Sequence, residues 1–133
     1  MTKKEIAKET IDKFKERMES AELLIKAEKY EDSISRTYYA LFDAIRGMLE
    51  IKKITVKSHQ GAINRFNEFF IKSKIFNSKF AKTIKQIQDL RETADYTFQI
   101  DLSKEEAKKA FEEVEKFLLL IEDYLKDNYL AEK

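Results

Sequence analysis

The stretch Tyr30-Glu-Asp-Ser-Ile-Ser-Arg-Thr-Tyr-Tyr-Ala-Leu-Phe-Asp-Ala-Ile-Arg-Gly-Met-Leu49 decides the fold class. Ile34, Tyr38, Leu41, Phe42, Ile45, Met48 and Leu49 recur at steps of four and three, which places them on one face of an α-helix. Glu31 or Asp32 is positioned to open that helix, where acidic side chains meet the positive end of the helix dipole. Ile51 to Val56 is locally β-branched but too short and isolated for a useful strand, and it reads as a connector.

The helical period continues outward on both sides. Upstream, Thr2 and Glu5 have the spacing of a capping box, in which hydroxyl and carboxylate satisfy backbone donors reciprocally. Ile6, Phe14, Met18, Ala21, Leu24 and Ile25 follow at helical spacing as far as Ala27. Downstream, Ser58 is an N-cap for a third helix carrying Ala62, Ile63, Phe66, Phe69 and Phe70. Asn77-Ser78 separates it from a fourth with Phe80, Ile84, Ile87 and Leu90 on one side. A second capping box, Ser103 and Glu106, precedes Ala107, Phe111, Val114, Phe117, Leu118, Ile121, Tyr124 and Leu125. Long helices on mostly short connectors predict an all-α chain: an up-and-down four-helix bundle with an additional helix, about five in total, in one domain over 1–133.

Composition agrees and removes whole classes of chemistry. A chain of 133 residues, 43% of them hydrophobic, can bury a core without disulfides or metals. With two glycines, Gly47 and Gly61, no Rossmann or P-loop phosphate cradle can be written. No cysteine and a single histidine, His59, exclude thiolate zinc sites, thiol catalysis and any hydrolytic triad without His59. A metal centre on one histidine needs several converging carboxylates, and none converge in sequence, so neither a metal nor a cofactor is expected. The N-terminus lacks an apolar signal core and no apolar run is long enough to span a bilayer, so a cytoplasmic protein without membrane contact is expected.

Charge is distributed unevenly. Residues 52–92 hold ten basic and three acidic side chains, and residues 93–133 hold six basic and eleven acidic. This asymmetry has three readings: a surface for an acidic partner, charge complementarity within the bundle, or ordinary solvated lysine faces. The apolar side chains Phe42, Phe66, Phe69, Phe70, Phe76, Phe80 and Phe98 exceed what one small bundle needs, which predicts a symmetric homodimer.

The helix from Tyr30 to Leu49 contains Arg36-Thr-Tyr-Tyr-Ala-Leu-Phe42; Lys57-Ser-His59 and then Arg91-Glu-Thr-Ala-Asp-Tyr96 follow in order. This ordered set resembles the HEPN superfamily, in particular the small stand-alone prokaryotic proteins related to the C-terminal domain of sacsin. The resemblance covers roughly residues 20–125. It implies a helical bundle acting as a homodimer, with a minimal nucleotidyltransferase as partner in a toxin–antitoxin-like pair. It further implies a metal-independent ribonuclease whose signature is an arginine followed a few residues later by a histidine, which the partner opposes by binding it or by adding AMP to a tyrosine. Here Arg91 stands at the signature's start, but Tyr96 occupies the histidine's place and no histidine follows Arg91. A tyrosine with an ordinary pKa of about 10 is a poor base at neutral pH.

Arg91, Asp95 and Tyr96 are the candidate catalytic residues. Arg91 and Asp95 face each other at i and i+4, either as a structural ion pair or as part of a working groove. Tyr96, the tyrosine nearest Arg91 in sequence, is also the candidate for modification. Arg36, Tyr39, Lys57 and His59 are the candidate ligand-binding residues. Arg36 either faces phosphate in the groove of Arg91 or pairs with an acidic neighbour. His59, next to the N-cap Ser58, is held neutral by the helix dipole and serves as either a satisfied structural histidine or a catalytic one. Three functions follow: a HEPN-type module partnered with a nucleotidyltransferase and binding nucleotide or RNA; a ribonuclease toxin with an altered site at Arg91; and a structural interaction bundle.

Overall fold

A computed structural model describes residues 1–96 and 102–131, and of Tyr96 the backbone only. Five helices follow in order: α1 (Lys3–Lys26), α2 (Tyr30–Ile51), α3 (His59–Phe66), α4 (Lys79–Tyr96) and α5 (Lys104–Leu125). The described residues contain no strand. α3 and α5 each run on into a single π-helical turn, Asn67–Ile71 and Lys126–Leu130.

The helix starts form where the side chains require. Thr2 Oγ1 accepts from the Glu5 amide while the Glu5 carboxylate accepts from the Thr2 amide, and Ser103 with Glu106 repeats the exchange. Ser58 accepts from the Gly61 amide. α2 begins at Tyr30, so Glu31 and Asp32 lie inside its first turn, where they favour the dipole without capping it. The helix ends use a different device. Glu28, Lys53 and Lys74 adopt left-handed backbone with φ near 60° at the places where glycine usually ends a helix. After α2, the Lys53 and Ile54 amides donate back to the Glu50 and Leu49 carbonyls, closing the last turn.

α2 is the centre of the bundle and packs against α1, α3, α4 and α5. Thirteen of its 22 residues are buried, so only a narrow strip reaches solvent. Towards α1 it presents Ser33 and Gly47, and the helical period places the small residues Thr37, Ala40 and Ala44 on the same stripe between them. At the tightest point a Cβ on Gly47 would fall 2.7 Å from the Cβ of Thr10. Register runs antiparallel: Thr10 meets Gly47, Arg17 Nε donates to Asp43 Oδ2 at 3.0 Å, and Ser33 Oγ donates to the Ala21 carbonyl at 2.9 Å.

On the other side of α2, aromatic rings join α3, α4 and α5. Phe66, Phe76 and Phe80 surround Phe117, with Phe80 stacked on Phe117 at 4.4 Å between centroids, and Phe70 packs behind them on Phe66 and Phe76. The expected surplus of apolar residues is therefore largely used within one protomer: Phe42, Phe66, Phe70, Phe76 and Phe80 are all buried. Phe69, expected on the inner face of α3, is instead 42% exposed, because the π turn at Asn67–Ile71 rotates it away. Phe98 lies outside the described residues. At the base of α5, Glu122 is 6% exposed and bonded at 2.7 Å by both Lys15 and Lys126. Burial acts to raise this carboxyl, and the two lysines overcome it and hold it below the usual carboxylate range.

Two substitutions test this description. Gly47→Ala is expected to cost about 1–3 kcal/mol despite the ~1 kcal/mol that alanine gains from helix propensity; a rise in the urea midpoint would mean that α1 and α2 are free to separate. Lys53→Gly is expected to raise stability by about 1 kcal/mol, because glycine relieves a left-handed backbone at no steric cost; an unchanged midpoint would count against strain at this turn.

Candidate functional site

The site grows from the half-buried strip of α2 that faces α4. Tyr38 and Tyr39 are consecutive, so their rings diverge, meeting edge-on at 5.4 Å. The guanidinium of Arg91, from α4, lies over both, 5.0 Å from the Tyr38 ring and 5.4 Å from the Tyr39 ring. One guanidinium nitrogen of Arg91 donates to the Tyr39 hydroxyl at 3.1 Å. Its Nε lies 3.0 Å from Asp95 Oδ2, an ion pair that lacks hydrogen-bond alignment. Asp95 in turn is within 3.5 Å of the Ser35 hydroxyl. Cation, two aromatic faces and carboxylate thus fix Arg91 in one orientation.

His59 joins from the start of α3. Its Nδ1 is 3.1 Å from the Tyr38 hydroxyl, and its ring stacks on Phe42 at 4.0 Å between centroids. Tyr38 therefore touches both Arg91 and His59, although these lie 32 residues apart in the chain. Burial lowers the His59 pKa, and the positive charges of Arg91 and Arg46 lower it further. The ring is neutral at pH 7 and remains exposed to solvent. Burial raises the Tyr38 hydroxyl above its ordinary value despite the opposing charge of Arg91, so this group stays protonated.

On the α1 side, Tyr39 carries a second cation. Arg17 lies 5.7 Å from its ring, steadied by the hydrogen bond to Asp43. Between α1 and α2 a cleft of about 610 Å³ is lined by Arg17, Leu24, Asp32, Ser35, Arg36 and Tyr39. Tyr39 belongs to both cleft and aromatic site and joins them into one surface.

The sequence candidates fall into place unequally. Arg91, Asp95, Tyr39 and His59 gather around Tyr38. Arg36 is exposed on the cleft and takes part in no ion pair among the described residues. Lys57 is exposed in the connector before His59 and makes no side-chain hydrogen bond or ion pair among the described residues. The side chain of Tyr96 lies outside the described part, so α4 ends on it without placing its hydroxyl. Tyr38 is buried, as its place on the apolar stripe predicts, and its contact with both Arg91 and His59 is what sequence reasoning did not show; it missed Arg17 and Asp43 altogether. The described residues contain no cluster of three or more histidines and carboxylates suited to a metal.

An all-helical bundle with an arginine, paired tyrosines and a histidine on one surface defines a class, and comparison with known proteins specifies it. The HEPN domain model matches residues 7–124, and the chain belongs to the HEPN family. It is 32% identical over 123 residues to "Putative toxin MJ0142" of Methanocaldococcus jannaschii, covering 92% of this chain and 83% of that protein. It is 30% identical over 113 residues to a "UPF0332 protein" of Thermotoga maritima, covering 85% and 86%. A second M. jannaschii protein, "Putative toxin MJ0605", is 30% identical over 112 residues, covering 84% and 83%. The expectation of a HEPN-type helical bundle is met. No helix of the described residues is long and apolar enough to cross a membrane.

The His59 geometry makes a direct prediction. By NMR its ring titrates below the ordinary histidine value, and Arg91→Gln raises the midpoint only part-way, because burial is the larger cause. The associated stability is present above the ordinary histidine pKa and is lost as pH falls through the lowered folded value. A midpoint in Arg91→Gln identical to wild type would separate the two side chains.

Proposed function

We propose that this chain is a toxin-like HEPN module whose Arg91 surface binds the phosphodiester backbone of RNA, and that it works as a homodimer opposed by a minimal nucleotidyltransferase. The observation that carries the reading is the fixed orientation of Arg91 over Tyr38 and Tyr39, with Asp95 occupying only one edge of the guanidinium. A pre-oriented guanidinium binds phosphate with little further loss of side-chain freedom. Tyr39 adds an aromatic face of the kind on which unpaired bases stack. Arg36 and Arg17 extend positive charge along the cleft that continues from Tyr39. The relatives' names support the toxin-like class. The homodimer and the nucleotidyltransferase rest on the family resemblance, since the protomer's own core takes up most of the apolar side chains.

A second reading, a metal-independent ribonuclease, is favoured by one specific observation. His59 and Arg91 both touch Tyr38, which supports a reading in which His59 stands in for the histidine missing after Arg91 in sequence. A neutral histidine can accept the proton of a ribose 2′-hydroxyl as that oxygen attacks phosphorus. Arg91 would offset the charge of the phosphorane, and the departing 5′-oxygen would take a proton from water, leaving a 2′,3′-cyclic phosphate and a 5′-hydroxyl.

A fluorescein-labelled single-stranded RNA, titrated in the presence of a chelator, separates the readings. Arg91→Gln is expected to weaken binding by about tenfold or more, while His59→Gln binds within a fewfold of wild type. Binding unaffected by Arg91→Gln would overturn the proposal. Cleavage by the wild type that His59→Gln abolishes, with binding retained, would promote the ribonuclease.

A further inference from the structure

His59 is the chain's single histidine, and its two ring nitrogens meet different surroundings. Nδ1 lies 3.1 Å from the Tyr38 hydroxyl, whereas Nε2, across the ring, forms no hydrogen bond among the described residues. Tyr38 is 2% exposed, and among the described residues its hydroxyl has one hydrogen-bond partner, this nitrogen. The guanidinium over its ring, that of Arg91, carries donors only. A buried O–H without an acceptor forfeits the bonds it had with water, so the Tyr38 proton points at Nδ1. A neutral imidazole that accepts at one nitrogen carries its proton on the other. Nε2 of His59 is therefore an N–H, and it belongs to an exposed residue.

Around that N–H the charges have one sign. Phe42 supports the His59 ring by stacking at 4.0 Å, and Arg46 stands one turn further along α2 on the same side. Arg91 approaches from α4, and the charges that reach His59 are those of Arg91 and Arg46, both positive. The carboxylates nearest the two arginines do not cancel them. Asp95 takes one edge of Arg91 at 3.0 Å, and Asp43 is held by Arg17 at 3.0 Å. Glu50 follows Arg46 at i+4 without pairing to it, and Arg46 takes part in no side-chain hydrogen bond or ion pair among the described residues. Three groups that only donate, on α2, α3 and α4, thus border one surface. A cation finds no acceptor among them, whereas phosphate oxygens find three donors.

We infer that Tyr38 fixes His59 as its Nε2–H tautomer, and that this N–H forms with Arg46 a second phosphate subsite beside Arg91. The subsite rests on the RNA reading for the strand that brings the phosphate, while the tautomer rests on the Tyr38 bond alone. Tyr38 is a positioning residue, since it acts on the ligand through His59. The tautomer also divides two roles of the histidine. A bare Nε2 could accept the proton of a ribose 2′-hydroxyl, as a ribonuclease requires. A protonated Nε2 holds phosphate and leaves the strand intact.

Because the chain has one histidine, long-range proton–nitrogen NMR of the labelled full chain reads both ring nitrogens directly. Above the His59 titration the wild type is expected to show the proton on Nε2 and a bare Nδ1. Tyr38→Phe, with its circular dichroism retained, is expected to show the two tautomers mixed. Inorganic phosphate, added against chloride at constant ionic strength, shifts the Nε2 signal, and Arg46→Gln needs about fivefold more phosphate for the same shift. With the fluorescein-labelled RNA, Arg46→Gln flattens the slope of log affinity against log salt by about 0.7, the value for one phosphate contact on a single strand. Lys108→Gln, exposed on α5, leaves that slope unchanged. A proton on Nδ1 in the wild type, wild-type nitrogen shifts in Tyr38→Phe, or an Nε2 signal indifferent to phosphate would overturn the inference. RNA that binds through Arg91 without moving the His59 signals would overturn the subsite and leave the RNA reading in place. Phosphate that moves those signals when RNA fails to bind would uphold the subsite and remove RNA as its source.

Discussion

The burial of α2 is the constraint from which the rest of the structure follows. A helix packed against four others cannot leave its polar groups to water, so each must find a partner on a neighbouring helix. Ser33 takes the Ala21 carbonyl, Asp43 takes Arg17, Tyr38 takes His59, and Tyr39 takes Arg91. These pairings do two things together. They fix the register of α1, α3 and α4 against the centre, and they bring two arginines, two tyrosines and a histidine to one edge of the helix. The candidate site is therefore the polar margin of the core, built by the same bonds that hold the bundle in register. Thr37 marks the limit of the rule, since its hydroxyl is buried without a partner, and we have no physical account of it.

The helix beginnings were legible because capping is local chemistry. Thr2 with Glu5, Ser58, and Ser103 with Glu106 carry their own signal within four residues, and the structure uses all of them. The endings were not, because the usual signal is glycine and this chain places Glu28, Lys53 and Lys74 in the left-handed positions instead. Lysine there has a compensation that a sequence pattern does not display: it sets a cation at the negative end of a helix. Phe69 departs from its expected place for a related reason. The inner-face pattern assumed 3.6 residues per turn, and the π turn breaks that period, exposing Phe69; Phe76, on no helix, fills the space between Phe66 and Phe117.

The site was legible in part. Arg91 with Asp95 needs only helical spacing, and the ion pair is present at 3.0 Å. The association of His59 with Arg91 depends on how α3 and α4 lean on α2, a relation between residues 32 apart that no spacing rule within one helix contains. Looking for a histidine after Arg91 on α4 finds Tyr96, whereas looking for one across Tyr38 finds His59. The same limit concealed Arg17, whose importance arises only once the small residues of α2 let α1 come close enough for it to reach Tyr39.

The charge asymmetry then takes a definite form. Had the basic segment 52–92 neutralised the acidic segment 93–133 inside the bundle, ion pairs would cross between α4 and α5. Among the described residues none does: the one pair joining the two segments, Arg91 with Asp95, lies within α4. α4 and α5 instead meet through Phe80 and Phe117, an apolar contact indifferent to charge. The lysines of the middle segment and the glutamates of α5 other than Glu122 consequently reach solvent, the latter interspersed with the exposed lysines of the same helix. Such an arrangement gains nothing for folding, since exposed charges of one sign repel their neighbours. What holds α4 to α5 is thus the aromatic contact, and the charges of the two segments take no part in the packing between them.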